Sequence, residues 1–203
     1  MTMSEIRKAL PFALPAQQDG MMVAVVGPSG AGKDSIINAA RTRFAMCQDV
    51  VFARRVITRP ADGNEPHEPV TEPLFHRGVK NGEFAMWWQA NGLYYGLPAE
   101  LHDEIETRHI VIANLSRERA EEARRTFRRC TVIHITASPD VLTMRLAARG
   151  RESSAEQAAR LCRAQALEAS VNAEILIANN GALDLAVNAF ETAINRLRSR
   201  YMP

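Results

Sequence analysis

Met22-Val23-Ala24-Val25-Val26-Gly27-Pro28-Ser29-Gly30-Ala31-Gly32-Lys33-Asp34-Ser35-Ile36-Ile37 is the stretch that decides the fold. An apolar run with strand composition ends in a glycine-framed loop, and the loop opens into Ser35–Ala40, which reads as a helix. In that setting the spacing G-x-x-x-x-G-K acquires chemical meaning. The glycines let backbone N–H groups curl around a phosphate chain. The helix N-terminus adds a partial positive charge, and a lysine at the end of the loop reaches the terminal phosphates. Gly27, Pro28, Ser29, Gly30, Ala31, Gly32, Lys33, Asp34 and Ser35 are therefore the candidate nucleotide-binding residues, with Lys33 a candidate catalytic group.

One position in the loop is unusual. A hydroxyl residue normally follows the lysine and ligates Mg²⁺; here the residue is Asp34. Asp34 has two readings. An acidic residue in a first helical turn suits the macrodipole, so it could simply start the helix. Alternatively its carboxylate stands beside Mg²⁺, a hard cation that accepts such oxygens. The strands that could carry a second acid end without one: His109–Asn114 in Asn114 and Thr131–Thr136 in Thr136. Asp34 is therefore the candidate metal ligand.

The chain has 203 residues, enough for one domain with small lids and a substantial core. Its 46% hydrophobic and 24% charged content is that of an ordinary globular protein. A net charge of +2 gives no basis for nucleic-acid or membrane binding. Only Lys8, Lys33 and Lys80 are lysines; the other basic residues are arginines, whose guanidinium groups clamp phosphate. Cys47, Cys130 and Cys162 are odd in number and lack C-x-x-C spacing, which argues against a disulfide framework or zinc site and for a cytoplasmic setting. Two prolines, Pro11 and Pro15, interrupt the first apolar segment, so residues 1–20 read as a tail rather than a signal peptide.

Beyond the first helix, Val50–Ala53 reads as a second strand, followed by Arg54-Arg55-Val56-Ile57-Thr58-Arg59. Pro60–Pro73 has loop composition. A short helix over Leu74–Lys80 and an aromatic stretch, Phe84–Tyr95, form a small strand-rich lobe with Trp87 and Trp88 in its core. A helix over Ala99–Thr107, a strand over Ile110–Ala113, a helix over Arg117–Phe127 and a strand over Val132–Thr136 come next. Helices over Asp140–Ala148 and Ala155–Ser170, a strand over Ile175–Ala178 and an amphipathic helix to Arg200 complete the chain. Alternating strands and helices predict an α/β fold, a parallel sheet covered on both faces.

From residue 20 onward the chain resembles guanylate kinases. Gly27–Lys33 resembles their phosphate loop, Thr58-Arg59 their acceptor-phosphate turn, and Gly82-Glu83-Phe84 with Gly92–Gly96 their acceptor lobe. The resemblance implies a P-loop NTPase fold, a three-layer αβα sandwich with a central parallel sheet. It also implies one domain over 21–203, with an acceptor lobe at about 55–100 and a helical lid at about 145–165. Arg145, Arg149 and Arg160 fall where lid arginines belong.

The departures are as informative as the matches. In the family a Glu two residues after the G-E-F phenylalanine reads the guanine edge; here that residue is Met86. Leu97 replaces a hydroxyl residue, and Asn114-Leu115-Ser116 replaces an acidic strand end. A site that has lost its polar partners loses its discrimination for a polar ligand. The segments Gly27–Asp34, Val56–Pro60, His67-Glu68, Gly92–Pro98 and Val111–Arg117 instead resemble the ribose 1,5-bisphosphate phosphokinases of bacterial phosphonate catabolism. These transfer the γ-phosphoryl group of ATP to the 1-phosphate of ribose 1,5-bisphosphate.

That resemblance implies ATP and Mg²⁺ as cofactors, a small sugar phosphate as partner, no nucleic acid or membrane, and a monomer or homodimer. It also implies roles. Lys33 and the loop amides hold the β- and γ-phosphates, and Asp34 holds Mg²⁺ with Asn114 through water. Arg149 and Arg160 close over the transferred group as catalytic residues, and Arg145 stacks on adenine. Arg59 and Tyr95 bind one acceptor phosphate, with Arg55 or Arg117 for the second. His67-Glu68 orients a ribose hydroxyl or is a polar loop dipeptide, and Asn179 contacts adenine or forms a turn. Two alternatives stand beside this: a nucleoside monophosphate kinase of altered base preference, and a catalytically silent protein-binding module. Intact Gly27, Gly30, Gly32 and Lys33 weigh against the second alternative.

Overall fold

The computed structural model describes residues 20–60, 66–148 and 171–201. In chain order the first half contains β1 (Met21–Val26), α1 (Lys33–Arg43), β2 (Val50–Phe52), β3 (Arg55–Ile57), β4 (His67–Pro69), α2 (Glu72–Asn81), β5 (Phe84–Ala90) and β6 (Leu93–Pro98). Then come α3 (Leu101–Glu106), β7 (Ile110–Asn114), a 3₁₀ turn (Arg117–Arg119), α4 (Ala120–Thr126) and β8 (Cys130–Thr136). The last described elements are α5 (Pro139–Ala148), β9 (Ile175–Ala178) and α6 (Leu183–Tyr201).

The larger sheet is parallel, in the order β2-β7-β1-β8-β9. Its centre, β1, is buried along its whole length, because helices cover both faces. That explains why Met21–Val26 reads as an unbroken apolar run rather than an alternating one. Val23 and Val25 face a layer built from Ile36 and Ala40 of α1 and Val187, Phe190 and Ile194 of α6. Met22, Ala24 and Val26 face Leu101 and Ile105 of α3 and Ala123 of α4, with Phe127 just beyond that helix.

Four strands form the second sheet, in the order β4-β3-β6-β5; β5, β6 and β3 pair antiparallel, and β4 joins β3 in parallel. One face of this sheet carries Met86, Trp88 and Leu97 into the second core cluster. The other stacks Phe84 on Phe75 of α2 at 4.7 Å.

Several elements differ from the sequence expectation. The second strand stops at Phe52 rather than Ala53, α2 begins at Glu72, and α3 is shorter than Ala99–Thr107. The Arg117–Phe127 segment divides into a 3₁₀ turn and a shorter α-helix. The segment Pro60–Pro73 is not all loop, since it holds β4. Its His-Glu-Pro sequence carries no strand signal, yet an edge position tolerates Pro69. Of the two tryptophans, Trp88 is buried, whereas Trp87 is 43% exposed. The N-terminal tail, the Ala155–Ser170 helix, Arg149 and Arg160 lie outside the described residues.

Candidate active site

The phosphate loop runs from the C-terminal end of β1 into α1, and each framing glycine meets a distinct demand. At Gly27 (φ 154°) a Cβ would lie 2.0 Å from the Ile135 carbonyl oxygen, so the chain can leave the sheet against β8 only without a side chain. Gly32 (φ 88°, ψ 21°) is left-handed and caps α1, with Ile36 N–H donating to its carbonyl at 3.0 Å. The turn closes through Ala31 N–H to Pro28 O at 3.2 Å. Lys33 Nζ donates to the carbonyls of Gly27 at 2.9 Å and Pro28 at 3.1 Å. The ammonium is therefore tethered to the loop it must serve.

Asn179 supports the loop from the far side. It follows β9, its N–H donates to Thr136 O at 2.8 Å, and its Nδ2 donates to Ala31 O at 2.8 Å. The side chain is only 3% exposed, and a Cβ on Gly32 would come within 2.5 Å of its Nδ2. Asn179 is a strut under the loop, and its Oδ1 is buried without a hydrogen-bond partner among the described residues. Arg145 of α5 lies beside the same loop, its Nη1 3.5 Å from Gly30 O, the far limit of a hydrogen bond.

Asp34 stands in the first turn of α1, opposite the end of β7. Asn114 Nδ2 donates directly to Asp34 Oδ1 at 2.6 Å. The donor set offers one carboxylate and one amide oxygen. That suits a cation whose other ligands are phosphate oxygens and water. Among the described residues no cluster of three or more His, Cys, Asp or Glu side chains could hold a metal by itself.

On the small sheet, Thr58 N–H donates to Tyr94 O at 3.1 Å and Tyr94 N–H donates to Thr58 Oγ1 at 2.9 Å, which pins the Thr58-Arg59 turn to β6. Tyr95 lies between Trp88, stacked at 5.5 Å and 7° between planes, and the Arg55 guanidinium, 5.4 Å from its ring centroid. Arg55 is only 9% exposed. The His67 ring is buried and bonded through Nε2 to Arg59 O at 3.0 Å, while Arg54 Nη2 donates to His67 O at 3.0 Å. His67 is thus a strand residue tied to a candidate clamp, not part of a solvent loop. Arg117 opens the 3₁₀ turn that follows β7, three positions beyond Asn114. Met86 and Leu97 are buried in the apolar cluster.

The structure thus gathers Lys33, Asp34, Asn114, Arg145 and Asn179 around the phosphate loop and sets Arg55, Arg59 and Tyr95 on the small sheet. Sequence reasoning did not find the bonds of His67 to Arg59 O and of Asn179 to Ala31 O, because each is made to a backbone carbonyl. Cys130 offers no alternative nucleophile, since burial pushes its thiol up to about 11.

The guanylate kinase family model matches residues 20–197. The chain is 45% identical over 181 residues to the ribose 1,5-bisphosphate phosphokinase PhnN of Acidiphilium cryptum, covering 89% of this chain and 96% of that one. It is 42% identical to the protein of the same name from Methylobacterium radiotolerans, over 82% of this chain and 93% of the relative. In three dimensions it is similar to the guanylate kinase of Anaplasma phagocytophilum, with a TM-score of 0.67 at 20% identity over 91% of this chain and 88% of the other.

Proposed function

The chain belongs to the guanylate kinase family and, within it, to the ribose 1,5-bisphosphate phosphokinases, and we propose that it moves the γ-phosphoryl group of ATP onto the 1-phosphate of ribose 1,5-bisphosphate. The products are 5-phospho-α-D-ribose 1-diphosphate and ADP. One contrast carries this reading: the phosphate-handling loop keeps Gly27, Gly30, Gly32 and Lys33, while Met86 and Leu97, at the guanine-reading positions, are buried in apolar core. A sugar carrying two phosphates needs cations and hydroxyl partners, and no reader of a purine edge.

The attacking phosphate oxygen is already anionic near neutral pH, so the site needs no strong base. Its work is alignment and neutralisation of charge on the transferred group. In this reading the loop amides and Lys33 bind the β- and γ-phosphates. Asp34 would hold Mg²⁺, with Asn114 acting through water, and the ion would supply further charge neutralisation. Arg59 and Tyr95 hold the attacking phosphate, with Arg55 or Arg117 for the other one. The lid arginines Arg149 and Arg160 close on the phosphoryl group, and Arg145 covers the adenine. The proposed setting is the cytoplasm, as a monomer or homodimer, and the unpaired thiols of Cys47 and Cys130 support a reducing compartment.

Incubation with ATP, Mg²⁺ and ribose 1,5-bisphosphate, followed by phosphorus NMR, tests the proposal. A new diphosphate signal growing with ADP is the expected result. Transfer to GMP or another nucleoside monophosphate in its place would establish the nucleotide-kinase alternative.

A further inference from the structure

We infer that His67 is a positioning residue for the acceptor phosphate, acting by holding the Arg59 backbone in place. The inference rests on reading Arg59 as the acceptor clamp. Its geometry is independent of which phosphorylated acceptor the clamp receives.

His67 lies opposite Arg55 in the parallel register of β3 and β4 and is 2% exposed. A carbonyl only accepts, so the 3.0 Å contact to Arg59 O requires a proton on Nε2. The His67 carbonyl is itself held by Arg54 Nη2 at 3.0 Å. Ile57 O accepts from Val70 N–H at 3.1 Å, so the two strands are stitched on both sides of the imidazole. The segment Ile57-Thr58-Arg59 is thus gripped from two directions. Tyr94 of β6 holds Thr58, and His67 holds Arg59 from β4.

Packing alone does not call for an imidazole here. β4 is a three-residue edge strand whose other members, Glu68 and Pro69, are exposed. A β-branched apolar residue would fill a buried edge position without the desolvation that a buried polar ring incurs. What histidine adds is a donor at the end of a rigid ring, placed on the residue that bears the clamp. A misplacement of about 1 Å in a substrate-positioning group can cost on the order of 100-fold in rate. A hydrogen bond to the clamp's own carbonyl limits such drift directly.

The test compares full-length wild type with His67→Gln, His67→Leu, Arg59→Ala and the Arg59→Ala/His67→Leu double variant. Gln presents an amide donor at nearly the reach of Nε2, and Leu fills the space without one. Steady-state kinetics use ATP and whichever acceptor the wild type phosphorylates. If that acceptor is GMP instead of ribose 1,5-bisphosphate, the proposed substrate fails while the His67 comparison proceeds on GMP.

His67→Leu should raise the acceptor KM about tenfold, the equivalent of one hydrogen bond, and leave the KM for ATP within about twofold. His67→Gln should recover most of the loss. In the Arg59→Ala background, His67→Leu should add little, because its effect passes through Arg59. Should melting curves show that His67→Leu does not fold, His67→Asn, too short to reach the carbonyl, takes its place. An equal rise in both KM values, no recovery with Gln, or an undiminished effect in the Arg59→Ala background overturns the inference.

Discussion

Asn114 Nδ2 donates to Asp34 Oδ1 at 2.6 Å, joining the end of β7 to the first turn of α1 across 80 residues of sequence. The bond occupies one lone pair of the carboxylate and orients the group at the phosphate loop. If Asp34 ligates Mg²⁺ or its water, Asp34→Ala should raise the Mg²⁺ requirement and lower turnover. Asp34→Ser should recover part of the loss by restoring a hydroxyl ligand. If Asp34 only starts the helix, its charge is worth about 0.3–1 kcal/mol of stability and leaves the Mg²⁺ curve unchanged. Magnesium titrations that overlap for wild type and Asp34→Ala would eliminate the ligand role.

Lys33 is expected to be indispensable for transfer and dispensable for folding. Its ammonium bonds to the carbonyls of Gly27 and Pro28 within its own loop, and the side chain is no part of either apolar core cluster, so Lys33→Ala should leave the core packed. Loss of a charge placed on the transferred group should lower kcat by on the order of 100-fold or more. A variant with a native melting curve that kept over a tenth of wild-type turnover would remove the loop from the mechanism.

Selectivity against GMP follows from burial at Met86 and Leu97. Neither side chain offers a polar partner to a guanine edge, so kcat/KM for GMP should fall roughly 1,000-fold or more below that for ribose 1,5-bisphosphate. Met86→Glu should not repair this. It places a carboxylate in an apolar cluster and should destabilise the protein by on the order of 3 kcal/mol. Parallel acceptor assays and thermal melts check both halves.

The glycine loop, the buried β1 and the alternation of strands and helices were legible because each is written in local composition. Glycines mark the loop, and an unbroken apolar run marks a strand covered on both faces. β4 was illegible because His67-Glu68-Pro69 has no period-two pattern; its strand state comes from pairing with β3. Asn179 escaped for another reason. The carbonyl it serves, at Ala31, is 148 residues away, and no local pattern encodes which backbone oxygen a distant amide will meet.

The Asp49–Arg198 pair should make stability depend on acid. Arg198 Nε and Nη2 donate to the two carboxylate oxygens of Asp49 at 2.7 and 2.9 Å, tying the entry of β2 to α6. That bidentate hydrogen bonding holds the Asp49 carboxyl below its ordinary value. A depressed carboxyl stabilises the fold above its unfolded pKa, about 3.9, and loses that contribution as pH falls through the lower folded value. Both side chains are about one-third exposed, so screening limits the pair to about 1 kcal/mol. Asp49→Asn should therefore melt about 2–4 °C below wild type at pH 7, with the gap closing below about pH 4. A gap that persists at pH 2.5 would assign the loss to packing instead.

Asn179 offers the sharpest distinction between holding the loop and recognising the base. Its Nδ2 bond to Ala31 O fixes the loop from beneath, next to Gly32, where any larger neighbour would collide. Asn179→Ala should strip that carbonyl of its donor and destabilise the protein by about 1–2 kcal/mol. It should also weaken phosphate binding generally, because the loop amides lose their alignment. Inorganic tripolyphosphate, which has the phosphates of ATP and no base, separates the two roles. A strut predicts that Asn179→Ala weakens ATP and tripolyphosphate by a similar factor, about tenfold. An adenine contact predicts weaker ATP binding with tripolyphosphate unchanged. Calorimetric titration of wild type and variant with both ligands decides between them, and unaltered tripolyphosphate affinity would remove Asn179 from the support of the loop.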